Sequence, residues 1–246
     1  MLRTSGRFIF RQMPILALLF VWTQTPSLMA DKPRKNRHSI TPMLGIARNT
    51  TTPFTLSPAA NLRIQYLNGD QLRNPFMLRY DYRLNKGSSI GGSLLLNHNP
   101  LYLNPQFNNG TFIGPGIINH AGTMPGLTAH YSGSMSLGLV RIFGTAGLGA
   151  YRQQPNEALT SDYSWYKNAP AAFYDFAVAS TYQSIRRVLP ISALSAGVKL
   201  KQLEFSWVMH RSLLSPVRPF EYNGVAFKNN IRFRSSGFYV AYQLKF

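Results

Sequence analysis

The chain has 246 residues, with 26 Lys and Arg against 8 Asp and Glu, so its formal net charge is +18. It has no Cys, which excludes a disulfide framework, a thiolate metal site and an acylated N-terminal cysteine. Hydrophobic residues make up 45% of it, and the many Tyr, Phe, Gly and Pro suit numerous strands separated by turns.

The N-terminus carries Arg3, Arg7 and Arg11, then the apolar run from Met13 to Trp22, then T-P-S-L-M-A ending at Ala30. A basic n-region, a short apolar core and a small residue before a cut are the marks of a cleaved signal peptide, expected over 1–30. The apolar run is about half of the roughly 20 residues that a membrane-spanning helix needs. Cleavage would leave 216 residues, enough for one domain, and would remove three Arg and no acid, so the net charge falls to +15. Export makes nucleic acid an unsuitable partner for that charge. Anionic lipid headgroups and the phosphates of lipopolysaccharide are the partners it suggests instead.

Residues 31–37, D-K-P-R-K-N-R, form a basic polar leader, and the strand pattern begins at His38. Over His38 to Ala47, Ile40, Leu44 and Ile46 share one face and Ser39, Thr41, Met43 and Gly45 the other. Pro42 marks an irregularity in this strand. Asn49 to Pro58 has turn chemistry. Asn61 to Asn68 alternates again, and it is either an arm standing above the bilayer or a further membrane strand.

Phe76 to Leu84 sets Leu78, Tyr80, Tyr82 and Leu84 against Arg79, Asp81 and Arg83. Three charges alternating with large apolar residues suit a closed barrel with a greasy exterior and a polar interior, because only helices and closed barrels satisfy the backbone in lipid. A short turn at Asn85-Lys86-Gly87 leads into Ser89 to Asn97, with Ile90, Leu94 and Leu96 outward. His98 to Met124 is too rich in turn signals for one strand and reads as a long outer loop with room for a small hairpin. Gly126 to Leu137 places Leu127, Ala129, Tyr131, Met135 and Leu137 outward and Thr128, His130, Ser132, Ser134 and Ser136 inward. Phe143 to Arg152 is a Gly-rich strand with no assignable face.

Gln153 to Pro170 is a polar loop, and Ala172 to Ser184 is expected to be a strand with Tyr174, Phe176, Val178 and Tyr182 outward and Asp175 inward. The stretch from Ile191 to Ser212 follows, clearest at Leu203 to Met209, where Leu203, Phe205, Trp207 and Met209 face out and Glu204, Ser206, His210 and Ser212 face in. Leu213 to Arg232 is the last outer loop.

The final segment is F-Y-V-A-Y-Q-L-K-F. Phe238, Val240, Tyr242, Leu244 and Phe246 lie on one face and Tyr239, Ala241, Gln243 and Lys245 on the other. A strand with outward apolar residues at alternate places, ending on Phe, resembles the closing strand of small outer-membrane β-barrel proteins of the OmpA-like and OmpX-like superfamily. That resemblance implies that these five outward residues form an assembly signal read by the barrel-assembly machinery, and that this strand pairs with the first to close the sheet. It also implies the outer membrane of a Gram-negative bacterium.

The expected fold is therefore all-β: an antiparallel transmembrane β-barrel over 38–246, with eight strands, or ten if Asn61 to Asn68 also spans and one more arm lies within a long loop. The even count puts both ends of the barrel on the periplasmic side. Side chains fill an eight-stranded interior, so Arg79, Asp81, Arg83, Asp175, Glu204 and Lys245 are expected to form an internal ionic network. The role this suggests is non-enzymatic, structural or surface-interacting, with the long outer loops meeting an envelope or surface partner. The alternatives are a narrow anion or solute channel past the interior charges, a component of a secretion apparatus, and a lipid A hydrolase.

The last alternative rests on His210-Arg211-Ser212. Its H-x-S spacing is similar to that of the outer-membrane lipid A 3-O-deacylases, which implies His210 as base, Ser212 as nucleophile and Glu221 as orienter. Strand alternation nonetheless puts His210 and Ser212 inside, whereas that family's pair meets lipid. Leu213 stands where the family favours Asn. No nucleotide-binding Gly loop, zinc spacing or calcium loop is present, so no cofactor or metal is expected.

Overall fold

The computed structural model describes residues 37–52, 54–59, 62–67, 71–98, 102–107, 118–119, 122–154, 183–222, 225–228 and 230–246. The expected signal peptide and residues 31–36 of the leader lie outside them. Sixteen strands are described: β1 (His38–Thr51), β2 (Phe54–Ala59), β3 (Leu62–Leu67), β4 (Gln71–Arg73), β5 (Phe76–Arg83), β6 (Ser88–His98), β7 (Tyr102–Phe107), β8 (Ile118–Asn119), β9 (Thr123–Leu137), β10 (Val140–Arg152), β11 (Val188–Leu200), β12 (Leu203–Ser212), β13 (Phe220–Tyr222), β14 (Val225–Phe227), β15 (Phe233–Tyr242) and β16 (Leu244–Lys245).

Eight of these close a barrel, in the order β1, β5, β6, β9, β10, β11, β12, β15 and back to β1, every pair antiparallel. The closing ladder runs from Met43 opposite Ala241 to Thr51 opposite Phe233. β16 continues it past Gln243, with Ser39 opposite Lys245 and Ile40 opposite Leu244. At the seam, His38 and Phe246 exchange backbone hydrogen bonds of 3.2 and 3.1 Å. Closure removes the unpaired strand edges that lipid would not tolerate.

Three connections are short: residues 84–87, Gly138–Leu139 and Lys201–Gln202. The two-residue turns place a positive φ at their first residue, +61° at Gly138 and +57° at Lys201. These turns, Arg37 and Phe246 share one end of the barrel, and the long connections leave from the other. Short turns mark the periplasmic side of such barrels and long connections the outer side.

β3, within the segment Asn61 to Asn68, pairs with β2 and β7 in a separate four-stranded sheet with β8. It is an arm outside the barrel wall, so the count is eight rather than ten. Strand alternation expects Ala172 to Ser184 to follow β10 in the barrel wall. Residues 172–182 lie outside the described residues, but the place beside β10 is filled by β11 along its whole length, from Val140 opposite Leu200 to Arg152 opposite Val188. The stretch from Ile191 to Ser212 accordingly belongs to two strands that fold back at Lys201–Gln202.

Alternation sorts the side chains. Leu44, Ile46, Leu94, Leu127, Leu148, Phe205, Phe238 and Val240 are exposed around the outside, forming an apolar band suited to lipid. Trp207, on the same outward register opposite Phe238, is buried instead. Inside lie Met43, Met77, Leu95, Met124, Tyr151, Leu189, Ile191, Val208, Phe233, Tyr239 and Ala241, which form one buried cluster. The Gly-rich β10 turns Phe143, Thr145 and Tyr151 inward, all three buried, and Leu148 outward.

Candidate functional site

The interior has a charged layer towards the periplasmic end. Arg79 and Asp81 are two apart on β5 and therefore share a face. Arg79 Nε donates to Asp81 Oδ2 at 2.9 Å, and its two terminal nitrogens reach across the barrel to Glu204 on β12, Nη1 to Oε1 at 2.8 Å and Nη2 to Oε2 at 2.5 Å. This is the two-pronged geometry in which a guanidinium meets a carboxylate most strongly. Lys199 Nζ lies 3.1 Å from Glu204 Oε2, and His130 Nε2 lies 2.9 Å from Asp81 Oδ1. The Phe143 ring lies under both cations, its centroid 4.8 Å from Lys199 Nζ and 5.7 Å from Arg79 Cζ. Gly91 makes room for this arrangement, because a Cβ there would stand 1.9 Å from the Tyr80 carbonyl oxygen and 2.9 Å from His130 Nε2. Two cations meet two carboxylates, so neither charge sign is left over in the layer.

The interior layer at the outer end is neutral. The Tyr151 hydroxyl lies 2.7 Å from His210 Nδ1, and Asn97 Nδ2 donates to Ser235 Oγ at 3.1 Å and to Tyr151 at 3.4 Å. Asn49 Nδ2 donates to Asn97 Oδ1 at 2.7 Å. The rings of Tyr151 and Phe233 meet edge to face at 5.8 Å. Above them, Gln153 Nε2 donates to the Arg186 carbonyl at 2.9 Å, and a bridge joins Ile185 to Val217, both buried, drawing two of the long connections together.

His210 and Ser212 belong to this neutral layer. They are 3% and 2% exposed, inside the barrel and away from lipid. His210 Nδ1 is engaged by Tyr151, and Ser212 Oγ accepts the Phe233 N–H at 3.0 Å. Glu221 is exposed on β13, which pairs with β14 outside the barrel sheet. The three residues of the hydrolase reading are not brought together.

The structure joins Arg79, Asp81 and Glu204 of the expected network, adds Lys199, His130 and Phe143, and places Arg83 and Lys245 at the periplasmic mouth, where Lys245 is exposed. Asp175 lies outside the described residues. Lys199 was recoverable from sequence once the turn at Lys201–Gln202 was recognised, since it then stands directly opposite Glu204. The closing-strand residues Phe238, Val240, Tyr242, Leu244 and Phe246 all lie exposed on the outer face.

Below the ionic layer the barrel opens into a small cavity at the periplasmic mouth. Arg37, Arg83, Lys86, Arg141 and Lys245 stand around it, with Ser88 in its wall and Arg79, Asp81 and Phe143 among the residues lining it. Among the described residues, no group of His, Asp and Glu is arranged to hold a metal ion.

No protein-family model and no curated protein matches the sequence. Among solved structures, the chain is similar to the outer membrane protein AlkL in lipid bilayers, at 9% identity over 90% of this chain and 97% of that one, TM-score 0.44. It is similar to the outer membrane protease OmpT from Escherichia coli at 10% identity over 89% and 100% of the two chains, TM-score 0.43. Ail, the attachment invasion locus protein of Yersinia pestis, gives 11% identity over 86% and 100%, TM-score 0.35. With its closed eight-strand antiparallel sheet, apolar outer band and polar, filled interior, the protein is a small transmembrane β-barrel of outer-membrane type.

Proposed function

We propose that the protein is a non-enzymatic barrel of a Gram-negative outer membrane, acting as a sealed anchor whose outer connections meet an envelope or surface partner. The observation that carries this reading is the filled interior. A solute would have to pass the Arg79–Glu204 bridge and then Tyr151 and Phe233, which are each 1% exposed. Breaking a buried ion pair costs about 3–5 kcal/mol, a poor design for a permanently open path. A lipid hydrolase would need His210 and Ser212 on the outer face, and both are held inside by partners of their own. Lipopolysaccharide suits the chain's net positive charge and its apolar outer band as a surrounding partner, and the apolar closing strand suits recognition by the barrel-assembly machinery.

Planar-bilayer reconstitution tests the reading. Insertion verified by heat-modifiable gel migration should give conductance indistinguishable from bare lipid, whereas reproducible unitary currents would replace the anchor by the channel. Deletion of the outer connection 213–232 in favour of a short turn should spare insertion and abolish capture of any surface partner.

A further inference from the structure

The periplasmic mouth has a charge imbalance that the ionic layer above it does not share. Among the described residues lining the mouth cavity Asp81 is the one carboxylate, and it is already engaged by Arg79 and His130. Glu204, deeper in, is engaged by Arg79 and Lys199. Around the rim stand Arg37, Arg83, Lys86, Arg141 and Lys245, supplied by the segment before β1, the end of β5, the turn after it, the start of β10 and β16. Arg37 donates to the Tyr82 hydroxyl at 3.1 Å and Arg141 to the Ser136 hydroxyl at 3.3 Å, neutral partners that leave the positive charge uncompensated. Among the described residues, no salt bridge is made by Arg37, Lys86, Arg141 or Lys245.

A second observation points the same way. Ser88 is 6% exposed, and its hydroxyl has no hydrogen-bond partner. Thr41 Oγ1, Asn49 Oδ1 and Ser206 Oγ share that condition, but of these four residues only Ser88 lines the mouth cavity. A buried hydroxyl without a partner sacrifices a hydrogen bond unless a ligand supplies one. Beside a ring of cations, the ligand that completes it is an anion with several acceptor oxygens.

We propose that the mouth is a phosphate-binding site open to the periplasm, in which Arg141 and Lys245 hold the anion and Ser88 Oγ donates to one of its oxygens. Guanidinium groups suit this role because their planar N–H donors match two oxygens of a tetrahedral phosphate at once. The floor of the site is the neutral Arg79–Asp81–Glu204–Lys199 layer, so the anion is held at the mouth and does not proceed through the barrel. The phosphate comes from one of two sources: free in the periplasm, or on a phospholipid headgroup of the inner leaflet, which the mouth adjoins.

The test uses the full chain folded in nonionic maltoside micelles, with inorganic phosphate as the probe in isothermal titration. Saturable one-site binding is expected, weakening as sodium chloride rises because the rim charges are exposed to screening. Arg141→Gln should weaken it about tenfold and Ser88→Ala by a smaller factor, consistent with loss of one charged and one neutral hydrogen bond. Arg152→Gln, at the opposite end of β10, should leave it unchanged. Doping the micelles with phosphatidylglycerol separates the sources: displacement of inorganic phosphate identifies the headgroup, and undiminished binding identifies the free anion. Absence of saturable binding by the folded chain, or equal affinity in wild type, Arg141→Gln and Ser88→Ala with heat-modifiable migration retained, would overturn the proposal.

Discussion

The two ends of the barrel interior are sealed by different chemistry. The periplasmic half is closed by ions, Arg79 and Lys199 against Asp81 and Glu204, and the outer half by neutral groups, Tyr151, His210, Asn97 and Phe233. Each ion in the first layer is costly to bury alone and depends on a partner contributed by a distant part of the chain. In the second layer, each lost partner exposes only a dipole, and ring packing carries more of the cohesion. The charged layer should therefore be specific and fragile, the neutral layer tolerant, although both block the same path.

The largest effect that would break this contrast is Glu204→Gln. It removes the carboxylate that holds both Arg79 and Lys199, and it should destabilise the barrel by about 3–5 kcal/mol, measured as a shift in guanidinium unfolding in micelles. A double Arg79→Met, Glu204→Met variant removes both charges and should recover most of that loss; a double variant no more stable than the single one would show that the layer is held by something other than charge pairing.

Moving a charge to the other side of the wall comes next. Leu148 is exposed on the outer face near the middle of β10. Leu148→Arg should cost about 2–4 kcal/mol in a bilayer, the range for a charge placed on the lipid face near the midplane. An equal stability of variant and parent in lipid vesicles would mean that this face does not meet hydrocarbon.

Tyr151→Phe is a milder cut in the neutral layer. It keeps the ring against Phe233 while depriving His210 and Asn97 of the hydroxyl, and a loss of about 1–3 kcal/mol is expected, smaller than for Glu204→Gln. Reversal of that order in parallel denaturation curves would invert the comparison. The smallest change lies below both layers. Lys201 holds φ at +57°, a region that glycine enters without a Cβ clash. Lys201→Gly should stabilise by roughly 0.5 kcal/mol, visible as a slightly later unfolding midpoint, and should leave conductance and phosphate binding as they were.

What could be read from sequence alone follows from the period of a strand. Facing repeats every two residues, so F-M-L-R-Y-D-Y-R-L sorts Leu78, Tyr80 and Tyr82 from Arg79 and Asp81 without knowledge of any neighbour. The same local rule placed Thr128 and His130 inside, put Phe238 and Val240 outside, and gave the fold class, whereas its count of eight took 191–212 as one strand where the structure has two. It also placed His210 and Ser212 inside, which is what separates them from a lipid-facing catalytic pair.

Neighbour relations were beyond that rule. The segment 188–200 is built largely from Ser, Ala, Gly and moderate apolar residues, with no aromatic to mark a face, so its identity as the partner of β10 emerged only from a ladder that runs its full length. Glycines at 144, 147 and 149 hid the facing of β10 for the same reason, since a residue without a side chain carries no sign of inside or outside. Arg79 and Glu204 are 125 positions apart, and which carboxylate an inward Arg meets across a barrel depends on closure and register rather than on anything near it in the chain. Local alternation thus determined which face each side chain takes, and the closed tertiary structure decided which side chains meet, because the first depends on the two-residue repeat of the backbone and the second on how eight separate strands are brought into one ring.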